Sequence, residues 1–166
     1  MNAIRSDTIQ PAAQLHTAEH SEDQVRFSGP ARPGVPYEDR PGAYGILLND
    51  WDRLAVIEIG GRFFLPGGGL RADETPEEGL AREILEELGY EVLRRRPLGQ
   101  AVDHTCGASD GRHYRIHGYY FLVEEYAPRA APLDRDHVLR WLDPADALAN
   151  MPRQAQAWMV RKTLWT

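Results

Sequence analysis

The sequence predicts an α/β domain in which a mixed sheet is covered on both faces by helices. Three features lead there. Apolar, partly β-branched runs separated by turn formers occur on both sides of residue 75, a strongly amphipathic helix lies between them, and helix signals return near the C-terminus. The 166 residues suit one domain with its own core and are too few for two ordinary ones.

Residues 1 to 36 are polar, carry Pro11, Pro30, Pro33 and Pro36, and follow neither helical nor strand periodicity. They are expected to form an irregular N-terminal extension, with the domain proper over 37–166. From Ala43 the pattern changes: "AYGILL" and "RLAVIEI" are separated by "NDWD", and Gly60 and Gly61 divide the second run from "RFFL". That order predicts strand, turn, strand, tight turn, strand. A helix follows: Thr75 suits the N-cap, Pro76 the first position, Glu78 completes a capping box, and Gly89 is the natural stop. Arg94, Arg95 and Arg96 are expected in a solvated loop. "LGQAVDHTC" and "HYRIHGYYFLVEEY" flank "GASDG" and predict a hairpin turning at Asp110 and Gly111. "HVLRWL" reads as a short strand, "DPADAL" as a helix capped by Asp143, and Pro152 to Leu164 as a terminal helix with Ala155, Trp158 and Met159 near one face.

Composition narrows the function classes. A net charge of −6 and a pI near 5.5 offer no basic face for a nucleic-acid polymer. Cys106 is the only cysteine, so no internal disulfide forms, and no apolar run is long enough to span a bilayer. A cytoplasmic protein with a small charged ligand is the expectation, with the oligomeric state left open, a homodimer included.

The central helix carries the chemistry. At about 100° per residue, with Glu83 at zero, Glu86 falls near 300° and Glu87 near 40°, so three carboxylates share an arc of roughly 100°. Leu80, Ala81, Ile84, Leu85 and Leu88 form the stripe expected to pack on a sheet. Like charges at i,i+3 and i,i+4 cost an isolated helix a few tenths of a kcal/mol per pair, so a purely solvated face would more often alternate sign. Arg82, the only basic residue of the helix, offsets part of the repulsion through Glu86 or Glu78, and the cluster follows "LPGGG", where bare backbone can approach a ligand closely. Three carboxylates facing glycine backbone suit a hard divalent cation, which takes oxygen ligands and is commonly shared with substrate phosphates.

Gly68, Glu74, Arg82, Glu83, Glu86, Glu87 and Gly89 stand at the spacing of the Nudix box, and the segment Gly68 to Tyr90 resembles that of the MutT/Nudix hydrolases. At roughly 7% per position, chance agreement of seven identities is on the order of 10⁻⁸. Tyr90 departs from the aliphatic residue usual there. The resemblance implies an α/β/α sandwich with a mixed central sheet, and Mg²⁺- or Mn²⁺-dependent hydrolysis of a nucleoside diphosphate linked to another moiety. By motif position it implies Glu83, Glu86 and Glu87 as metal ligands and catalytic residues. Glu74 and Arg82 are expected to pair and brace the loop against the helix, and Gly67, Gly68 and Gly69 to meet the substrate, the Gly67 or Gly68 carbonyl being a further candidate oxygen ligand.

Which group accepts the proton is left open; candidates beyond the box are Glu124, Glu125, Asp134, Asp136 and His137. His104, His113 and His117 have no cysteine partner or helical histidine pair to make a zinc site. Tyr37, Tyr44, Trp51, Tyr114 and Tyr120 are available for base stacking, though buried packing explains most such aromatics. Cys106, without an activating neighbour in sequence, is expected to be a bystander. No signature of the ADP-sugar, dinucleoside-polyphosphate, coenzyme A or NADH branches is present, which leaves a nucleoside triphosphate, oxidised forms included, as the expected substrate. The competing reading is a Nudix-fold ligand sensor without catalysis.

Overall fold

The computed structural model describes residues 25–26, 31–107, 109–133 and 136–165. In chain order the elements are β1 (Val25–Arg26), β2 (Glu38–Leu47), β3 (Leu54–Ile59), β4 (Arg62–Phe64), β5 (Gly67–Gly69), α1 (Pro76–Leu88), β6 (Tyr90–Cys106), β7 (His113–Pro128), β8 (Val138–Leu142), α2 (Pro144–Ala149) and α3 (Gln154–Leu164). The sheet is mixed, as expected, but divided. Five strands run in the order β1-β6-β7-β2-β5 and three in the order β4-β3-β8.

The division begins at "NDWD". Asn49 Oδ1 accepts from the backbone of Trp51 and Arg53 at 3.0 Å each, and Asp52 takes a left-handed φ of 55°. This tight turn sends β3 into the second sheet, and the described link back to β2 is the single bridge between Leu48 and Leu54. β2 instead pairs in parallel with β7 and antiparallel with the glycines of β5.

Alternation along the strands then builds two cores. Tyr44 and Ile46 of β2, Leu54 and Val56 of β3, and Tyr120 of β7 share a cluster with Ala155, Met159 and Val160 of α3. Ala43, Leu47, Ala55, Ile57, Phe121 and Val123 point the other way and meet Leu80, Ile84 and Leu88 of α1. Side chains of period two thus feed both faces, and the result is a three-layer α/β/α sandwich.

α1 forms where its sequence signals place it. Thr75 accepts from Glu78 N, the Glu78 side chain returns to Thr75 N at 2.9 Å, and Gly89 closes the helix at φ 74° with its N–H on Leu85 O. Two sequence expectations are corrected. Leu85, at about 200° on the wheel, falls outside the buried arc and is exposed, whereas Glu87 is buried beside Leu88. Arg94, Arg95 and Arg96 are strand, because β6 starts directly after Gly89, and Arg94 is paired with Glu124 and Glu125 of β7. Cross-strand opposite charges of this kind make a polar run compatible with a sheet edge.

Tyr90 stacks into a row with Tyr126 and Trp141, ring centroids 5.2 and 6.2 Å apart, so the departure from an aliphatic residue is absorbed by aromatic packing. The capped helix at Asp143 and the terminal helix form as expected, the latter starting at Gln154. Among the described residues no helix is long and apolar enough to cross a membrane. Of the N-terminal extension, Val25 and Arg26 pair in parallel with Ala101 and Val102 of β6; residues 1–24 and 27–30 lie outside the described residues.

Ile84 is fully buried at the joint between α1 and the sheet. Ile84→Ala should lower stability by about 2–5 kcal/mol, read as a shifted midpoint with an unchanged slope in urea unfolding.

Candidate functional site

The short strand Gly67–Gly69 and the helix α1 bring the acidic residues to a cleft. Gly67 adopts φ 135°, and a Cβ there would sit 2.1 Å from Ala43 O, so only glycine lets β5 lie this close to β2. That proximity aims the Gly67 N–H at Glu87, which accepts it through Oε2 at 2.8 Å. Gly68 faces the helix less tightly: a Cβ there would meet the end of the Glu83 side chain, Oε1 at 2.7 Å.

Arg82 organises the acidic face. Its Nε donates to Glu74 Oε1 at 2.5 Å and its Nη2 to Glu74 Oε2 at 2.9 Å, a bidentate pair, and Nη2 also reaches Gly69 O at 3.0 Å. Its Nη1 donates to Glu83 Oε1 at 2.7 Å and to Glu86 Oε2 at 3.2 Å. The guanidinium beside it draws the Glu74 pKa down to about 2, helped by the Arg71 backbone N–H. The same carboxylate raises the Arg82 pKa further above its already high value. The expected brace of loop against helix is therefore present, and it extends to two of the three clustered glutamates.

Glu87 is the exception. It is 6% exposed, and burial pushes its pKa up to about 7 against the opposing hydrogen bonds from Gly67 N and His137. His137 Nδ1 lies 3.0 Å from Glu87 Oε1, placed there because β8 begins one residue later. Of the candidates beyond the box, His137 is in contact with a clustered glutamate. Glu124 and Glu125 are engaged by Arg94 across the β6–β7 ladder, and Asp134 lies outside the described residues.

Glu83, Glu86 and Glu87 line a cavity of about 340 Å³ together with His137 and Leu133. Glu87 and His137 also line a second cleft of about 360 Å³ walled by Tyr44, Ile57, Phe64 and Ile116, with Arg40, Arg153 and Gln156 at its polar positions. The two cavities share that pair of residues. Gln156 was not foreseen: it is buried in α3 and accepts the Leu65 N–H at 2.9 Å, tying the strand before Pro66 to the terminal helix. A glutamine on a face otherwise made of Ala155, Met159 and Val160 is the signal that marks it.

The donor set fits a hard divalent cation in kind: three carboxylates and one imidazole are the polar groups of the acidic cavity, and burial works against the charged form of Glu87, which a cation would favour. Among the described residues no three His, Cys, Asp or Glu side chains converge on one point. Glu83 and Glu86 turn to Arg82 and Glu87 to Gly67 and His137, so shared coordination requires rotation of these carboxylates.

The remaining sequence candidates lie apart. His117 Nε2 sits 2.8 Å from Asp39 Oδ1, and Tyr37 packs edge-on against His104 and His113 at 4.9 and 5.7 Å. Trp51 is exposed on its turn, Tyr114 is covered by Arg40, and Tyr120 is buried against Tyr44. Tyr44 therefore is the aromatic candidate that reaches the cleft.

The NUDIX domain model matches residues 39–163. This chain belongs to the Nudix family. A Streptomyces ambofaciens "MutT-like protein" is 46% identical over 119 residues, covering 70% of each chain. The Mycobacterium tuberculosis protein named "Putative 8-oxo-dGTP diphosphatase 2" is 40% identical over 97 residues, which are 57% of this chain and 62% of that one, so the chain spans about three-fifths of that relative. The crystal structure of a MutT protein from Methanosarcina mazei superposes with a TM-score of 0.62 at 19% identity, covering 77% of this Nudix chain and 94% of that one, and shares the fold.

The Glu74 shift has a stability consequence. A carboxyl whose folded pKa lies near 2, below the usual 4.5, stabilises the Nudix fold above pH 4.5, and that contribution disappears as pH falls through 2. Glu74→Gln should therefore unfold more easily than wild type near neutral pH, and the gap should close as thermal unfolding is followed from pH 4.5 downwards.

Proposed function

We propose that this chain is a metal-dependent Nudix hydrolase that cleaves a phosphoanhydride bond of a nucleoside triphosphate, oxidised forms included. The observation that carries the reading is the shared wall: Glu87 and His137 belong both to the acidic cavity and to the apolar-walled cleft. A diphosphate in the first cavity thus continues into the second, whose volume suits the rest of a nucleotide. The name of the M. tuberculosis relative supports an oxidised guanine nucleotide as one member of the substrate class.

In this reading Glu83, Glu86 and Glu87 hold Mg²⁺ or Mn²⁺, which supplies neutralisation of phosphate charge and activation of the attacking water. The chain's own residues do the rest. Arg82 and Glu74 keep α1 and the Gly67–Gly69 strand in fixed register, so the carboxylates face the backbone that the phosphates approach. Glu87 and His137 hold a proton between Oε1 and Nδ1 at the boundary of the two cavities. Tyr44 and Phe64 offer ring surface to a base, and Arg153 and Gln156 polar groups to its edge. Such a substrate supports a cytoplasmic location, where nucleotide pools are.

The test is product release from a panel of nucleoside triphosphates, 8-oxo-dGTP, ADP-ribose, dinucleoside polyphosphates and a 5′-triphosphorylated oligoribonucleotide, with Mg²⁺ or Mn²⁺. Glu87→Gln should lower turnover of the best substrate by at least about two orders of magnitude while leaving the circular dichroism spectrum intact. Wild-type-like rates in that variant would remove Glu87 from the mechanism. Metal binding without turnover of any compound would instead favour the sensing module.

A further inference from the structure

Glu86 has both of its carboxylate oxygens occupied by arginines, and the two arginines differ in how firmly they are held. Arg82 Nη1 reaches Oε2 at 3.2 Å and Arg71 Nη2 reaches Oε1 at 3.3 Å. Arg82 is fixed by Glu74, Glu83 and Gly69 as well, and its side chain is 16% exposed. Arg71 has only the Glu86 ion pair among its described side-chain contacts, and its side chain is 66% exposed. Its backbone, by contrast, is anchored, since Arg71 N donates to Glu74 Oε2 at 2.9 Å. The side chain is a loose arm on a fixed base, two residues beyond the glycine strand that lips the cleft.

We infer that Arg71 is a displaceable counter-charge for the acidic cluster, which yields Glu86 Oε1 to a divalent cation and then binds the phosphate chain of the substrate. This rests on the metal-dependent reading of the site. A guanidinium and a divalent cation compete in charge and space for one carboxylate oxygen, and the exposed pair is the one that gives way, because solvent and salt leave such pairs weak. Arg82 stays in place whichever way Glu86 turns, because its Nε and Nη2 are held by Glu74 and Gly69. Once freed, the Arg71 guanidinium stays beside the cluster by virtue of its anchored backbone. There its planar fork of donors matches a phosphate oxygen pair, which a hydrated ammonium would meet only as a point charge.

The two roles predict opposite signs for one substitution. Mn²⁺ is titrated into the full chain by calorimetry without nucleotide, and inorganic tripolyphosphate is then titrated into the Mn²⁺-loaded protein. Arg71→Ala should bind Mn²⁺ about two- to fivefold more tightly, the inverse of losing a surface pair's competition. It should bind tripolyphosphate about three- to tenfold more weakly, through loss of a charge-assisted hydrogen bond. Arg71→Lys keeps the charge and should stay near wild type for Mn²⁺ while recovering only part of the tripolyphosphate affinity.

Arg94→Ala removes the same charge from the β6–β7 ladder and serves as the control for net charge. Equal effects in Arg71→Ala and Arg94→Ala, or no change in either affinity, would overturn the inference. Unaltered melting temperatures identify the affinity changes as local. Neither titration needs turnover, so Mn²⁺ binding with the opposed shifts but no hydrolysis of any nucleotide would sink the proposed activity and leave the Arg71 role standing. Failure of the wild-type chain to bind Mn²⁺ would overturn both.

Discussion

The guanidinium of Arg82 is the constraint on which the acidic helix depends, because it pairs with three of the carboxylates that crowd the loop and α1. It sits among Glu74, Glu83 and Glu86 and touches the carbonyl of Gly69, so one side chain links loop, strand and helix. Arginine suits this place better than lysine: five donors in a rigid plane can serve several acceptors at once, two of them on one carboxylate. Glu74, by accepting two of those donors, fixes the plane in which the others are presented.

Glu87 shows what happens one turn away, where Arg82 does not reach. The helix rotates it inward toward Leu88 and Ile84, and desolvation then works against its charge. The Gly67 N–H and His137 offset that cost in part and orient both carboxylate oxygens. Neighbouring glutamates of one motif thus end up in different electrostatic states. Glu83 and Glu86 are paired with arginine at the mouth of the acidic cavity, while Glu87 is buried at the boundary between that cavity and an apolar cleft.

The scaffold serves this contrast through its divided sheet. β2 feeds α1 on one face and α3 on the other, and the glycine strand beside it is thin enough to let α1 approach. The second sheet closes the cleft from the side, bringing Phe64 from its hairpin and His137 from the start of β8. Gln156, reaching from α3 to the backbone of Leu65, holds the two layers in register where they meet the cleft. Cleft and acidic cavity are consequently contributed by segments from residue 40 to residue 156.

The sequence by itself determined what depends on neighbours along the chain. The capping box at Thr75, the Gly89 stop, the arc shared by Glu83, Glu86 and Glu87, the Asp143 cap and the Gly60–Gly61 turn follow from spacings of a few residues, where local geometry dominates. The Glu74–Arg82 pair was legible only through the family resemblance, since eight residues and a loop separate them. Tertiary structure decided the rest. Strand pairing is set by contacts distant in sequence, so the split into two sheets, the strand character of Arg94 to Arg96 and the three glycines of β5 were hidden from a local reading. Burial of Glu87 against exposure of Leu85 depended on where the sheet met the helix, a rotation that periodicity defines only to within a residue or two. His137 and Gln156 came to the cleft because β8 and α3 begin there, 50 residues or more from the partners they touch.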